Sequence, residues 1–449
     1  MVPSQQLTAN IPADEPEFAA FVGLDWGDQK SSWCLQTAGS EKVERGEITN
    51  QPAAVKQWVA DLLQRFGDRR VAVAIEQSRG HVVYQLLQYP NLVIFAVHPN
   101  MSAQFSRMLH PSGAKGDPAD ARDLLQLLLR HRDYLHRLDP ETPQTRLLQM
   151  LVEQRRTLVD DKTAYSNRLT AALKLYFPQL LAWVSDIDSP LGCDWIEKWP
   201  TLQAIQHCHP GTLRKFFSKH NCRSARRIDE RIEEIYAALP AVQDRAIVEG
   251  ASCDARHCAS IIKTLHQAIA ELDHKIAELV ADHPEAALFK DVPGVGPALL
   301  PRLVVAFGTQ RNRYRDAAQL QAYSGIAPVT RQSGKQRQVS WRFACPKFLR
   351  QTFVEFAAMS IRSCAWARAY YDLQRSKQKK HHAIIRALAY KWTRILFRCW
   401  KDRKPYNEEQ YLASLAKRNS PFAVAPGPSP TQLGWRDVCG FSKLDEKNA

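Results

Sequence analysis

The sequence predicts an α/β N-terminal domain followed by an all-α remainder. Three patterns carry that expectation. Short β-like runs alternate with helical ones only between residues 20 and 135, two long helices with heptad spacing follow, and the stretch after residue 288 reads as compact helix-forming sequence. At 449 residues the chain exceeds the size at which one hydrophobic core stops growing, so several domains are expected.

In the first region FVGLDWG, SSWCLQTAG and KVERGEI read as three strands and AAVKQWVADLLQRF as a helix. Strand VAVAIE, helix HVVYQLLQY, strand LVIFAVHP and a helical stretch to about His131 come next. Three antiparallel-looking strands followed by βαβα units are in the order of an RNase H-like, resolvase-type domain. Residues 1–19 read as an N-terminal extension. From about 141 to 181 one long helix is predicted, ended by Pro178, with Leu151, Leu158, Tyr165 and Ala172 seven residues apart. Ile262, Leu265, Ile269, Leu272, Ile276 and Leu279 lie on one seam of a second long helix, which needs a partner helix from the same chain or another protomer. Residues 141–285 therefore form a helical, coiled-coil linker domain, in which 182–258 carry no chemical signal. A helical domain over 288–403 and a flexible tail over 404–449, with SPFAVAPGPSPTQ near its centre, complete the chain.

A hydrophobic fraction of 45% and a charged fraction of 24% are those of a globular chain and exclude a mostly disordered or fibrous protein. No apolar run approaches the roughly 20 residues of a membrane span, and the opening MVPSQQLTANIPADEPEF lacks a leader pattern, so a cytoplasmic protein is expected. The ten cysteines contain no CxxC and read as reduced thiols. His207, Cys208, His209, Cys222, Cys253, His257 and Cys258 cluster in sequence, but their spacing fits no standard zinc pattern.

The net charge is +15, and its location is the informative part. Residues 311 to 403 hold 21 Lys and Arg against 4 Asp and Glu, an excess of +17, which leaves 40 against 42 elsewhere. With aromatic residues interleaved, that segment is the footprint of a nucleic-acid partner.

Four carboxylates stand out. Asp25 and Glu76 fall at the ends of apolar runs, and in KGDPADARDLLQLLL Asp117 and Asp120 share one face at a helix start. Singly, Asp117 before a proline also suits a helix cap, and Asp25 before Trp26 and Gly27 a turn. Jointly they are too repulsive to persist without cations, and hard divalent ions, Mg²⁺ or Mn²⁺, suit an all-oxygen set that moves a phosphodiester. Asp123, a further turn from Asp117, is left out of the set.

Further on, PGVGP between helical stretches suggests a helix-hairpin-helix whose Gly294 and Gly296 admit a phosphate backbone. In YSGIAPVTRQSGKQRQVSWR, Ser333 is followed by Gly334 and surrounded by Arg331, Lys335, Arg337 and Arg342. An unhindered hydroxyl amid cations suits attack on a phosphodiester, but it equally suits a turn that only grips phosphate. Ser324 and Ser340 are its local competitors.

Taken together, these motifs resemble those of the DEDD-type insertion-sequence transposases, RNA-guided serine recombinases that use a bridging noncoding RNA. The resemblance covers roughly residues 20 to 403. VGLDWGDQK is similar to the family's first acidic motif, VAIEQSRG to the second and KGDPADARDL to the Lys-x-Asp-x-x-Asp-Ala block. It implies that Asp25, Glu76, Asp117 and Asp120 are metal ligands. VPGVGPALLPRLVVAFG and YRDAAQLQAYSGIAPVTRQSGK resemble the family's C-terminal transposase domain and imply that Ser333 is the nucleophile. From Val339 the chain reads VSWRFACPKFLRQ and departs from the pattern of many relatives, so no role is carried over to the residues after Ser340.

The resemblance further implies DNA and a guide RNA as partners and a homo-oligomer, dimeric and then tetrameric on DNA. The expected function is thus cutting and rejoining DNA through a phosphoserine link assisted by carboxylate-bound metal. Two alternatives use the same residues: a metal-dependent junction-resolving nuclease without a covalent intermediate, and a non-catalytic nucleic-acid binding protein.

Overall fold

A computed structural model of the chain describes residues 17–76, 78–110 and 116–422. They form two compact units, one up to Pro140 and one from Glu141 onward.

The first unit is built on a six-stranded sheet. β1 (Ala20–Trp26), β2 (Lys30–Thr37) and β3 (Val43–Thr49) make an antiparallel meander. α1 (Pro52–Phe66) returns the chain to β4 (Val71–Ile75), parallel to β1, and α2 (His81–Leu86) leads to β5 (Leu92–Ala96), parallel to β4. The single helical stretch expected before His131 is two helices, α3 (Pro99–Leu109) and α4 (Asp117–His131), the second opened by Gly116 at its cap and Pro118 in its first turn. A 3-10 turn (Arg132–Tyr134) then precedes β6 (His136–Arg137), antiparallel to β5, and the strand order is β3-β2-β1-β4-β5-β6.

Both faces of the sheet are covered. Val22, Leu24, Val73 and Ile75 pack with Trp58, Leu62 and Val83 of α1 and α2. On the other face Ala72, Ala74, Val93 and Phe95 meet Leu124, Leu127 and Leu128 of α4. That is why VAVAI is apolar throughout rather than alternating: every residue of β4 is buried.

The second unit is organised by two long helices. α5 (Pro143–Tyr176) runs 34 residues, about 51 Å at the α-helical rise. It begins with the Thr142 hydroxyl accepting from the Thr145 N–H at 3.2 Å and ends before Pro178, as the sequence predicts. Four shorter helices and a single turn follow: α6 (Gln179–Trp183), α7 (Pro190–Lys198), α8 (Leu202–Gln206), α9 (Pro210–Lys219) and α10 (Ala225–Ala237). α11 (Arg245–Ala281) then runs back along α5, with Arg168 paired to Asp254, Arg155 to Asp273 and the Gln144 side chain donating to the Leu279 carbonyl at 3.2 Å. The seam partner is therefore α5 of the same chain. Ile262, Leu272 and Ile276 are buried, whereas Leu158, Leu265 and Ile269 at mid-length are half-buried, because cores close over the pair only towards its two ends. At one end Leu169, Leu173 and Phe177 join Trp195, Phe216, Ile232 and Ile262, which gives residues 182–258 a core of their own.

At the other end stand α12 (Ala286–Phe289), α13 (Leu300–Phe307), α14 (Ala317–Tyr323), a β7 (Val329–Ser333) and β8 (Gln336–Ser340) hairpin, α15 (Lys347–Ser363), α16 (Ala365–Ser376), α17 (His381–Asp402) and α18 (Glu408–Lys417). α12 is a single turn, since Pro284 and Pro293 leave room for no more. Three buried tryptophans fix this core, each with its indole N–H satisfied: Trp392 donates to the Ser360 hydroxyl, Trp366 to the Tyr406 hydroxyl and Trp400 to the Gly308 carbonyl. The first part of the stretch expected as tail from residue 404 packs against this core. Tyr406, Tyr411, Leu415 and Phe422 pack on this core, and the indole bond of Trp366 anchors the segment that carries α18. The Pro- and Ser-rich stretch beyond Phe422 lies outside the described residues. Among the described residues no helix is long and apolar enough to cross a membrane.

Candidate active site and nucleic-acid interface

Backbone register brings the first two acids together. Leu24 of β1 pairs with Ile75 of β4, so Asp25 and Glu76 occupy the next step at the C-terminal ends of adjacent parallel strands. Asp25 is inside the strand, opposite Ser32, and not in a turn.

The other two acids arrive on α4. A Cβ on Gly23 would lie 2.1 Å from the Ala121 carbonyl oxygen and 2.4 Å from the Leu125 nitrogen, so the missing side chain is what lets α4 lie directly on β1. The Cys34 thiol reaches the Pro118 carbonyl at 3.9 Å, which sets the first turn of α4, with Asp117 and Asp120, against the same sheet edge. The cap position is held by Gly116, with no side-chain cap bond, so Asp117 is not used as a helix cap. Asp123 points elsewhere: it is buried and bonded to His110 Nε2 at 3.2 Å.

Electrostatically the four acids form one group. Burial first, and then the charges of Asp120, Glu76 and Asp117, together raise the Asp25 carboxyl to about 6. Among the described residues no three His, Cys, Asp or Glu side chains close on a single metal position. The acids thus influence one another electrostatically without forming a preformed shell. Their oxygen-only chemistry and mutual repulsion fit hard divalent cations, which would relieve that repulsion. The histidines and cysteines considered for zinc have other local roles. His209 caps α9, His207 bonds the Gln203 carbonyl, and Cys253 lies 4.0 Å from His257 along one helix.

In the second unit Ser333 stands at the tip of the β7–β8 hairpin. Ser333 pairs with Gln336 across a two-residue turn whose first residue, Gly334, has φ of 56°, the positive value such turns require. Ser333 is exposed, and among the described residues nothing hydrogen-bonds its hydroxyl. Its competitors are engaged: Ser324 is fully buried and donates to the Leu320 carbonyl at 2.7 Å, and Ser340 reaches the Val329 carbonyl at 3.5 Å.

The cations divide by strand alternation. Arg331 shares the Ser333 face, Arg337 lies on the opposite one and Lys335 sits in the turn. Arg342 is tied to the hairpin root through the Ala327 carbonyl at 3.3 Å. At the PGVGP turn, Gly294 spends its bare face internally, since a Cβ there would lie 2.8 Å from Ser360, while the corresponding space at Gly296 is open. Sequence reading missed Gly23, whose signal is only its place two residues before Asp25. It also missed Trp341, held at the hairpin root by Arg386 and Arg350 at 4.3 and 5.1 Å from its ring.

Comparison with known proteins gives the class. Residues 22–178 match a family model described as "Transposase", and residues 286–372 one described as "Transposase IS116/IS110/IS902 family", together just over half of the chain. The chain is 24% identical over 418 residues to the "Mini-circle putative transposase for IS117" of Streptomyces coelicolor, covering 89% of this chain and 98% of that protein. It is 24% identical over 396 residues to the "Insertion element IS110 uncharacterized 43.6 kDa protein" of the same organism, covering 87% and 96%. Over 154 residues it is 29% identical to a "Pilin gene-inverting protein" of Moraxella bovis, covering 33% of this chain and 48% of that protein. A DNA transposase or recombinase is the class these findings define. Within it, the chain belongs to the IS110/IS116 family of transposases.

Proposed function

We propose that this transposase cuts and rejoins DNA by attack of Ser333 on a phosphodiester, assisted by divalent metal at Asp25, Glu76, Asp117 and Asp120. The observation that supports the reading is the electrostatic coupling of the four acids, with Asp25 and Glu76 at adjacent strand ends, the first turn of α4 packed on the sheet, and Asp25 raised to about 6 by burial and by the other three. In the proposed step the Ser333 Oγ forms a bond to phosphorus, the hydroxyl proton passes to solvent, and the bond to the 3′ oxygen breaks. One fragment is left joined to Ser333 through its 5′ phosphate, and the departing 3′ oxygen of the other takes a proton from solvent to become a free 3′ hydroxyl. Rejoining reverses these events, so the phosphodiester energy is conserved and no nucleotide cofactor is consumed. Mg²⁺ or Mn²⁺ held by the four carboxylates would supply positive charge to the departing oxygen. Arg331, on the serine's own face, would neutralise the attacked phosphate, while Lys335, Arg337, Arg342, Gly294, Gly296 and Gly334 serve the approach and grip of the nucleic-acid backbone.

The strand order of the first unit supports an RNase H-like assignment for that domain, and the turn before α13 supports a helix-hairpin-helix. Guidance by a structured RNA, and assembly as a dimer and tetramer, complete the proposal on the strength of the sequence motifs.

A denaturing gel of protein incubated with labelled DNA and Mg²⁺ tests the reading. A covalent protein–DNA band is expected from wild type and from neither Ser333→Ala nor Asp25→Asn. Free nicked DNA from Ser333→Ala would instead establish a hydrolytic nuclease, and unchanged DNA with wild type a binding protein.

A further inference from the structure

We propose that a groove bounded by the root of the β7–β8 hairpin, α17 and α18 binds one unpaired strand of nucleic acid. The groove encloses about 1300 Å³. Seven Lys and Arg side chains line it against one carboxylate, Asp402, which is already paired with Arg398 at 3.4 Å. Such an uncompensated excess selects a polyanion.

The layout of α17 selects its form. Buried Ile384, Leu388, Trp392 and Leu396 turn one face of the helix to the core, so Arg386, Tyr390, Arg394 and Arg398 follow one another at four-residue steps along the groove face. Each step advances about 6 Å along the axis, close to the separation of successive phosphates on one strand. An aromatic ring stands within that cationic row, and Trp341, Tyr406 and Tyr411 add rings along the walls. Cations that track a backbone, interleaved with rings on which bases stack, are the device of single-strand binding.

Arg386 and Lys391 are held below their ordinary values, Arg386 by burial and Lys391 by burial and then by Arg394. Phosphates would restore both. The walls formed by α17 and α18 lie beyond Asp372, where the second family match ends, whereas the hairpin root lies within it.

The inference rests on the family's action on nucleic acid but not on Ser333 chemistry, so the test uses full-length Ser333→Ala protein. Fluorescence anisotropy is measured with mixed-sequence 12-nucleotide single strands of DNA and of RNA and with a 12-base-pair duplex, over a range of salt. Replacing Tyr390, Arg394 and Arg398 together by Ala should weaken binding of at least one single strand tenfold or more. The two lost cations should reduce its log–log salt slope by about 1.4, and duplex binding should change less than twofold. Whether DNA, RNA or both respond identifies the strand. All three residues are exposed, so the melting temperature should hold; if it falls, Lys404→Ala with Arg418→Ala on the facing wall carries the same expectation. Unchanged single-strand binding, or an equal loss for duplex and single strands, would overturn the proposal.

Discussion

A single methyl group at Gly23 should disable the acid cluster without touching an acid. The Cβ of Gly23→Ala would stand 2.1 Å from the Ala121 oxygen and 2.4 Å from the Leu125 nitrogen, and ordinary contact needs about 3.5 Å. Both obstacles are backbone, so α4 has to retreat by about 1 Å or more. Ala121, Leu124, Leu125 and Leu128, all fully buried, lose their fit against the sheet. Overpacking of this kind costs ~1–3 kcal/mol, and rigid obstacles place the cost near the upper end. The same retreat carries Asp117 and Asp120 away from Asp25. Urea unfolding in chelator and again in Mg²⁺ measures both effects. Wild type should gain stability from Mg²⁺, by ~2.7 kcal/mol when the ion stands at a hundred times its dissociation constant. Gly23→Ala should start lower and gain clearly less. Equal stability and an equal Mg²⁺ gain in the two proteins would refute the close-approach argument.

Other expectations follow from the same geometry. Asp25 holds its proton to about 6 in the folded chain against an ordinary value of 3.8. As pH rises through that window the unfolded chain ionises first, so folding is penalised increasingly up to and above pH 6 in metal-free protein. The raw shift amounts to ~3 kcal/mol, and solvent screening at this half-buried group reduces it. In chelator, Asp25→Asn should therefore gain about 1 kcal/mol on wild type between pH 5 and pH 8 in urea unfolding, and a constant difference would argue against the raised carboxyl. Leu272→Asp puts a charge into the buried contact of α11 with α5 and should cost at least ~3 kcal/mol in thermal or urea unfolding; near wild-type stability would contradict the intrachain seam. Gly334→Ala strains a residue at φ of 56° by ~1 kcal/mol. Because the hairpin tip is exposed, the melting temperature should hold while covalent adduct formation falls about tenfold, and an unaffected yield would show that the turn does not orient Ser333.

Much of the first unit was legible because its strands carry their own signals. FVGLD and VAVAIE end in acids, and β4, covered on both faces, reads as unbroken apolar sequence. The closeness of Asp25 and Glu76 needed the parallel register, and the seating of α4 needed the absence of a Cβ at Gly23, which no periodicity reports. The hairpin that carries Ser333 was hidden for a different reason. Its strands, VTRQS and QRQVS, are exposed almost throughout, so neither has a buried face to leave an alternating pattern. The α5 and α11 helices were visible from their heptads, but their partner was not, since a seam records the need for a helix and not its source. α18 was read as tail because its hold on the core comes from a few aromatic contacts among polar residues, such as Tyr406 and Tyr411 against Trp366.

If the Ser333 Oγ forms the covalent link to DNA, the site of the adduct can be mapped on the protein. Wild-type protein is trapped on DNA with Mg²⁺, digested with nuclease and trypsin, and examined by tandem mass spectrometry. Cleavage after Arg331 and Lys335 releases Gln-Ser-Gly-Lys, in which Ser333 carries the sole hydroxyl. The account predicts a nucleotide phosphate on that peptide, absent when Mg²⁺ is withheld and absent from Asp25→Asn. A nucleotide phosphate on any other peptide, or an adduct that persists in Ser333→Ala, would contradict it.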